Sequence, residues 1–142
     1  TVCAIGSPPE KDFWKVAIEH PGCEQPGADI PEYKRIVAVA ELNDESLSVS
    51  AGWGKAFEEN GVSYGHVLDP RCGQPTQNTL LAAVALPSGT AADAWSTAML
   101  VSGVAGPVAL GQVGESARSL LLLPNGDSGF RTLNDGFESA LS

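Results

Sequence analysis

Residues 79–103 read TLLAAVALPSGTAADAWSTAMLVSG: an apolar run, a Pro-Ser-Gly stop, and then a stretch rich in good helix formers. This pattern predicts a strand from Thr79 to Leu86, followed by a helix from Ala91 to about Gly103. Thr90 is the predicted N-cap of the helix, and Asp93 three residues later gives a near relative of the capping box.

Short strands and turns dominate the chain on both sides of this unit. Residues 1–12 are predicted to be a connector, and 35–42 and 46–50 to form a hairpin. The other predicted strands are Trp14–Glu19, Val62–Leu68, Arg118–Leu123 and 129–132.

Two further helical pieces are predicted: a short helix from Pro107 to Val113, and a last turn capped by Asn134, with Phe137 and Leu141 on one face. The helices cluster between hairpins and do not alternate regularly with strands. We therefore expect an α+β fold with a mainly antiparallel sheet. At 142 residues, the chain is one domain or part of one.

Charge and composition exclude several classes of partner. The chain has 17 acidic and 8 basic residues and a net charge of -9, which argues against nucleic acid as a partner. The longest apolar runs, 98–101 and 120–123, are far shorter than the roughly 18 to 20 residues that cross a bilayer. Cys3, Cys23 and Cys72 match no zinc spacing, and the sequence leaves their redox state open.

Two stretches carry candidate chemistry. In residues 64–75, turn-forming Gly and Pro residues hold His66 inside a strand and Arg71 just past its end. Asp93 and Thr97 lie four apart on the predicted helix, where one carboxylate and one hydroxyl suit Mg²⁺ that keeps waters and phosphate oxygens. Each residue also has a structural alternative: Asp93 as a helix cap, Thr97 bonded back to a carbonyl, and His66 as a core histidine.

The same two stretches resemble one family. Residues 66–75, HVLDPRCGQP, are similar to the His-x-x-Asp-Pro-Arg-x-Gly-x-Pro segment of the FAD:protein FMN transferases, the ApbE family. Residues 92–98, ADAWSTA, are similar to that family's Ala-Asp-Ala-x-Ser-Thr-Ala helix start. The resemblance runs from about Trp14 to the end of the chain, and it corresponds to the C-terminal half of a family member.

The resemblance implies a fold, an activity and a set of roles. It implies an ApbE-like α+β region over residues 1–142, from the C-terminal half of a larger domain. It also implies Mg²⁺-dependent transfer of FMN from FAD to a Thr or Ser hydroxyl of an acceptor flavoprotein, with release of AMP. His66 is then the catalytic residue; Ser50, His66 and Arg71 contact FAD, while Asp93 and Thr97 bind Mg²⁺.

The resemblance also has consequences for this piece of chain. We expect it to be inactive alone and to need a missing N-terminal half or a second copy of itself. Since the sequence starts at Thr1 without Met, we expect a processed protein or an excised piece. By resemblance, its location is periplasmic, or membrane-anchored as a lipoprotein.

One loop departs from the family pattern. The loop that starts at Ser50 occupies the position of the family's Thr-Ser-Gly-Asp-Tyr, but only the Ser is kept: Val49, Ala51, Gly52 and Trp53 replace the other four residues. Cys72 stands where the family usually has Thr or Ser. The alternative function is therefore a non-catalytic flavin- or partner-binding module of the same fold.

Overall fold

The computed structural model describes residues 1–24, 30–31, 35–52, 56–60, 62–112, 114, 116–126 and 129–140. Within these ranges, twelve strands and two α-helices follow one another along the chain. The strands are β1 (Val2–Cys3), β2 (Trp14–Glu19), β3 (Ile36–Leu42), β4 (Ser46–Ala51), β5 (Ala56–Glu59), β6 (Val62–Gly65), β7 (Leu68–Asp69), β8 (Gln74–Pro75), β9 (Leu81–Leu86), β10 (Arg118–Asn125), β11 (Gly129–Asp135) and β12 (Glu138–Ser139). The helices are α1 (Gly89–Ser102) and α2 (Gly106–Leu110).

Strand β9 is the centre of the fold. All six of its residues are buried, as the continuous apolar run predicts for a strand covered on both faces. It is the middle strand of a sheet with the order β1-β4-β9-β10-β11, and a second sheet has the order β12-β3-β2. Every pairing in these two sheets is antiparallel, which confirms the predicted α+β class.

The two faces of β9 belong to two different cores. Leu81, Ala83 and Ala85 pack with residues of the smaller sheet, including Ile18 and Leu42. The opposite face packs against the helices, in an apolar cluster made of Ala82, Val84, Leu86, Ala92, Met99, Leu100, Leu110 and Leu121. The molecule therefore has three layers: the smaller sheet, the larger sheet and the helices.

Helix α1 packs on the larger sheet and begins at Gly89, two residues earlier than predicted. Ser88, not Thr90, is its N-cap, and the Ser88 side chain accepts a hydrogen bond from the Ala91 amide. Both residues are good caps, but Gly89 already has helical geometry, so the first cap-forming residue after the strand takes the role. The helix ends at Gly103 as predicted, with φ +59°.

The predicted hairpin over 35–42 and 46–50 is wrong in its pairing, although both strands are present. Strand β3 pairs with β2 and β12, whereas β4 pairs with β1 and β9. The connection between them is thus a corner between two sheets. Arg118 stabilises this corner, because its guanidinium donates to the Glu41 carbonyl at 2.8 Å and to the Glu45 carboxylate at 2.6 Å.

Both ends of the chain are more regular than predicted. The expected connector contains β1, which pairs with β4. The helical turn expected after Asn134 is wrong: Asn134 lies in β11, its side chain bonds the Phe137 backbone at both N and O, and the chain turns at Gly136, where φ is +88°. Strand β12 then pairs with β3, and Leu141 lies outside the described residues.

Three further features concern the second helix, the cysteines and the apolar runs. The short helix α2 forms but ends at Leu110, and Val113 lies outside the described residues. The three cysteines are unpaired. In the part of the chain that the structure describes, no helix is long and apolar enough to span a bilayer.

Candidate functional site

A polar cluster lies between β4 and α1, where packing alone would favour apolar side chains. Alternate residues of β4 face the helix, and they are the serines 46, 48 and 50. In the neighbouring strand β9, the residues directly opposite Ser48 and Ser50 are Val84 and Ala82, which belong to the apolar cluster. The sheet surface that faces α1 is therefore apolar on β9 and carries hydroxyl groups on β4.

Asp93 is the charged member of this site. Its Oδ1 accepts hydrogen bonds from the Thr1 hydroxyl at 2.9 Å and from the Ser48 hydroxyl at 3.0 Å. These bonds, that of Thr1 first, lower the pKa of the Asp93 carboxyl below its ordinary value. Because Ser88 caps the helix and α1 has no acidic residue in its first turn, the capping alternative for Asp93 is wrong.

Three more hydroxyls link Asp93 to the end of β4. Ser96 contacts Ser48 at 3.2 Å and donates to the Asp93 carbonyl at 3.0 Å. Ser50 bonds Ser96 at 2.8 Å and Thr97 at 3.1 Å. We call Ser48, Ser50, Ser96 and Thr97, grouped around Asp93, the hydroxyl cluster.

Thr97 combines both of the roles that the sequence allows. Its hydroxyl donates to the Asp93 carbonyl one turn earlier at 3.2 Å, as mid-helix threonines often do. Since a hydroxyl oxygen has two lone pairs, this donation leaves the oxygen able to accept. Thr97 and Asp93 are both exposed, so their oxygens are accessible from solvent.

The oxygen donors fit a hard cation only in part. Carboxylate and hydroxyl oxygens are the ligand types that Mg²⁺ prefers, and Asp93 and Thr97 supply one of each. In the described ranges, however, no group of three or more His, Cys, Asp or Glu side chains is placed to hold a metal ion. A cation at this site would therefore need most of its ligands from water and a bound ligand.

His66 lies at a bend between β6 and β7 and is exposed, so its predicted place inside a strand is wrong. The chain leaves β6 at Gly65, where a Cβ would lie 2.6 Å from the Gly52 carbonyl oxygen. This close backbone approach brings the bend beside the end of β4, two residues after Ser50. Val67, next to His66, packs against the apolar cluster under α1.

Arg71 belongs to a compact loop at the other end of α1, residues 69–76, which we call the Arg71 loop. Its guanidinium binds both carboxylate oxygens of Asp69, at 2.8 Å and 2.6 Å, and donates to the Val101 carbonyl at 3.3 Å. The bonds from Arg71 lower the pKa of Asp69 to about 2. Thr76 in the same loop donates to the Leu100 carbonyl at 3.3 Å, so the loop is tied to the helix end at two points.

The structure thus brings some predicted site residues together and separates others. Ser50, Asp93 and Thr97 are joined by hydrogen bonds. Arg71 meets α1 at Val101, eight residues after Asp93, which is about 12 Å along a helix. Arg71 is therefore not next to the oxygens of Asp93, and a contact between Arg71 and FAD stays a prediction.

Ser48 and Ser96, the two buried members of the hydroxyl cluster, are not among the site residues predicted from the sequence. Ser48 is 1% exposed and Ser96 is fully buried. A signal for Ser48 exists in the alternation of residues 46–50, Ser-Leu-Ser-Val-Ser, which puts three hydroxyls on one face of a strand. That face would ordinarily be assigned to solvent.

Comparison with known proteins gives a consistent result. The model of the ApbE family matches residues 1–116. The FAD:protein FMN transferase of Vibrio cholerae is 27% identical over 119 residues, which is 83% of this chain and 33% of that protein. The FAD:protein FMN transferase of Haemophilus influenzae is 34% identical over 91 residues, which is 63% of this chain and 24% of that protein.

Solved structures agree with the sequence matches. An ApbE protein from Thermotoga maritima superposes with a TM-score of 0.70 at 23% identity, over 92% of this chain and 38% of that chain. The flavinyl transferase ApbE of Pseudomonas stutzeri, in its apo form, superposes with a TM-score of 0.64 at 28% identity, over 92% and 37% of the two chains. The chain spans about a quarter to two fifths of the length of these relatives.

Proposed function

The chain belongs to the ApbE family, and from this membership we propose that the protein it forms part of transfers FMN from FAD to a Thr or Ser hydroxyl of an acceptor flavoprotein, releasing AMP. The observation that carries the proposal is the pairing of Asp93 and Thr97 on one exposed face of α1, inside the hydroxyl cluster. The curated relatives named FAD:protein FMN transferase support the class of reaction.

Mg²⁺ is the proposed metal, and Asp93 and Thr97 would hold it. When bound, the ion would supply positive charge beside phosphate oxygens. Asp93 offers Oδ2, to which no described residue donates a hydrogen bond, and Thr97 offers its hydroxyl oxygen. Two protein oxygens make a weak site alone, so we expect the cation to bind tightly only when the diphosphate of FAD supplies further oxygens.

His66 is the proposed base. Its bend lies beside the end of β4, because of the close approach of Gly65 to Gly52. In the proposed step an imidazole nitrogen of His66 takes the proton of the acceptor hydroxyl, and the hydroxyl oxygen bonds to the FMN-side phosphorus. The bond from that phosphorus to the bridging oxygen breaks, and the bridging oxygen leaves with AMP.

The rest of the protein is a proposed partner of this region. Val2, Ile5 and Trp14 are 48%, 86% and 44% exposed, and they line one groove of about 340 Å³ along β1 and β2. Because the chain matches only 33% of the length of its Vibrio cholerae relative, we propose that the remaining length of the protein covers this groove. A concentration-dependent dimer of the isolated region with the groove buried would point to a second copy instead. The periplasmic or membrane-anchored location stays a prediction.

One observation favours a second function. The segment around Ser50 keeps only this Ser of the family's Thr-Ser-Gly-Asp-Tyr, so contacts that the family segment makes with flavin do not transfer to it. A non-catalytic flavin- or partner-binding module is therefore the rival function. It requires the fold and a ligand site, but neither His66 nor Asp93 in a chemical role.

The test uses the intact protein with FAD, Mg²⁺ and an acceptor domain. The transferase produces covalent flavin on the acceptor and one AMP per flavin, whereas the rival function produces neither. Asp93→Ala should abolish transfer and strongly weaken Mg²⁺ binding to the FAD-loaded protein. His66→Ala should also abolish transfer but leave Mg²⁺ binding nearly intact, because only the carboxylate is a usual ligand of a hard cation. Equal losses of Mg²⁺ affinity in both variants would refute these two roles.

A further inference from the structure

The two buried serines of the hydroxyl cluster have no necessary place in the packing of the fold. Burying a hydroxyl costs desolvation, and the hydrogen bonds it makes return only about 1 kcal/mol net each. On the neighbouring strand the same helix packs well on Val84 and Ala82. Alanine would therefore fill the positions of Ser48 and Ser96, and their hydroxyls call for another explanation.

We propose that Ser48 and Ser96, joined by Ser50, are positioning residues that fix the Asp93 carboxylate so that only Oδ2 is presented to a cation, while the Thr97 oxygen is presented beside it. The proposal rests on the function proposed above, and it adds residues and a ligand mode to that site. It has three steps: the occupation of Oδ1, the direction of the protons and the rigidity of the support.

The first step concerns Oδ1 of Asp93. This oxygen accepts from Ser48 at 3.0 Å and from Thr1 at 2.9 Å. Two donors fill its lone pairs, whereas no described residue donates to Oδ2. A cation that approaches Asp93 therefore meets one free carboxylate oxygen, and the carboxylate binds in a monodentate manner.

The second step follows the protons. Each hydroxyl has one proton, and that of Ser48 is committed to Asp93 Oδ1. Ser48 must then accept from Ser96, whose proton is shared with the Asp93 carbonyl. Because that proton is used, Ser50 is assigned as the donor in its 2.8 Å hydrogen bond with Ser96. Thr97 donates to the same carbonyl. All four protons point into the cluster, so the Thr97 oxygen keeps a lone pair for a cation.

The third step concerns rigidity. Ser48 lies within β4, which is paired on both sides by β1 and β9, and its side chain is 1% exposed. Ser96 is fully buried under α1. A carboxylate on a solvent-exposed helix face usually samples several rotamers, and here a strand in the middle of a sheet restrains it.

The chain contains a matched control. Ser46 lies on the same strand and the same face, two residues from Ser48, and is also buried. Its hydroxyl contacts the Cys3 sulfur at 3.2 Å and does not contact Asp93. Ser46→Ala thus removes a buried serine hydroxyl from β4 without touching the proposed support.

The experiment compares Ser48→Ala with Ser46→Ala in the intact protein. With saturating FAD, Mn²⁺ is titrated and the free ion is measured by electron paramagnetic resonance. Ser48→Ala should lower Mn²⁺ affinity about tenfold or more, as is typical when a residue that orients a metal ligand is removed. Ser46→Ala should change it less than about twofold. Ser96→Ala should act in the same direction as Ser48→Ala.

A second readout needs no cation. Side-chain scalar couplings should report one χ1 rotamer for Asp93 in the unaltered protein and in Ser46→Ala, and an average over several in Ser48→Ala. Equal Mn²⁺ affinity and an unchanged Asp93 rotamer in Ser48→Ala would overturn the positioning role. If the unaltered protein binds no Mn²⁺ but the rotamer difference appears, the metal part of the proposed function fails and the support of Asp93 stands.

Discussion

Strands β4 and β9 lie side by side under one helix, yet they support it in different ways. Strand β9 presents Ala82, Val84 and Leu86, and β4 presents the three serines 46, 48 and 50 directly opposite them in register. The first set belongs to a continuous apolar cluster, and two of the three serines bond to residues of α1. The surface under α1 therefore has two halves. The apolar half, on β9, packs against the helix, and the hydroxyl half, on β4, makes hydrogen bonds to polar groups of the helix.

Stability and ligand binding can be tested separately at two neighbouring positions of these strands. Val84 and Ser48 face each other across one ladder step, so substitutions at the two positions perturb the same layer from almost the same place. If the hydroxyl half were only an imperfect core, both substitutions would act mainly on stability. If the hydroxyl half supports a ligand site, substitution of Val84 should mainly lower stability and substitution of Ser48 should mainly lower cation affinity.

The largest expected effect on stability is therefore on the apolar side. Val84→Ala removes two methyl groups from a fully buried position, and we expect it to lower the free energy of unfolding by about 2 to 3 kcal/mol, including the cavity. Chemical denaturation of the intact protein measures it. Per folded molecule, the Mn²⁺ affinity of Val84→Ala should equal that of the unaltered protein. A loss of affinity as large as that of Ser48→Ala would mean that the two halves are not separable.

The parts of the fold that the sequence predicts are those with local signals. The strand and helix over 79–103 follow from a continuous apolar run, a Pro-Ser-Gly stop and good helix formers, and both are present. The N-cap differs from the predicted Thr90 because Ser88 and Thr90 are both competent caps within three residues. A spacing of four predicts Asp93 and Thr97 on one helix face, and both are exposed residues of α1.

Other features depend on contacts that no local pattern contains. The strands at 36–42 and 46–51 are both apolar enough to pair with each other, and the choice of two different sheets is made by β2, β9 and the Arg118 corner. The serines of β4 have the alternation of a half-exposed strand. Which face is covered is decided by a helix about forty residues later in the chain. The local pattern therefore predicts the alternation of the two faces but not which face is buried.

A smaller effect is expected at the open end of the hydroxyl half. In Gly65→Ala the new Cβ would lie 2.6 Å from the Gly52 carbonyl oxygen, so one of the two backbones must move. Overpacking of this kind costs typically about 1 to 3 kcal/mol, and it should displace the bend that carries His66. We expect FMN transfer to fall while Mn²⁺ affinity is kept, because Asp93 and its supports are untouched.

Gly73→Ala is the contrasting variant for this test. Gly73 has a positive φ, +70°, and nothing lies within 4 Å of the position of its Cβ. The Gly73→Ala substitution therefore strains the backbone of the Arg71 loop without displacing the end of β4. A transfer rate in Gly65→Ala equal to that of the unaltered protein would show that the position of His66 does not depend on the close approach to Gly52.

The smallest expected effect lies at the C-terminal end of α1. There the helix contacts the Arg71 loop through Val101 and Leu100. Arg71 lowers the pKa of Asp69 from 3.8 to about 2, so ionised Asp69 stabilises the folded loop above about pH 4, and this contribution is lost as the pH falls from about 4 to about 2. Carboxyl NMR titration should give a midpoint near 2 for Asp69, and amide exchange in 69–76 should increase only below pH 4. Arg71→Gln should move the midpoint back toward 3.8, whereas Arg118→Gln, whose partner is Glu45, should leave it in place. A midpoint near 3.8 in the unaltered protein would mean that the Asp69–Arg71 pair does not persist in solution.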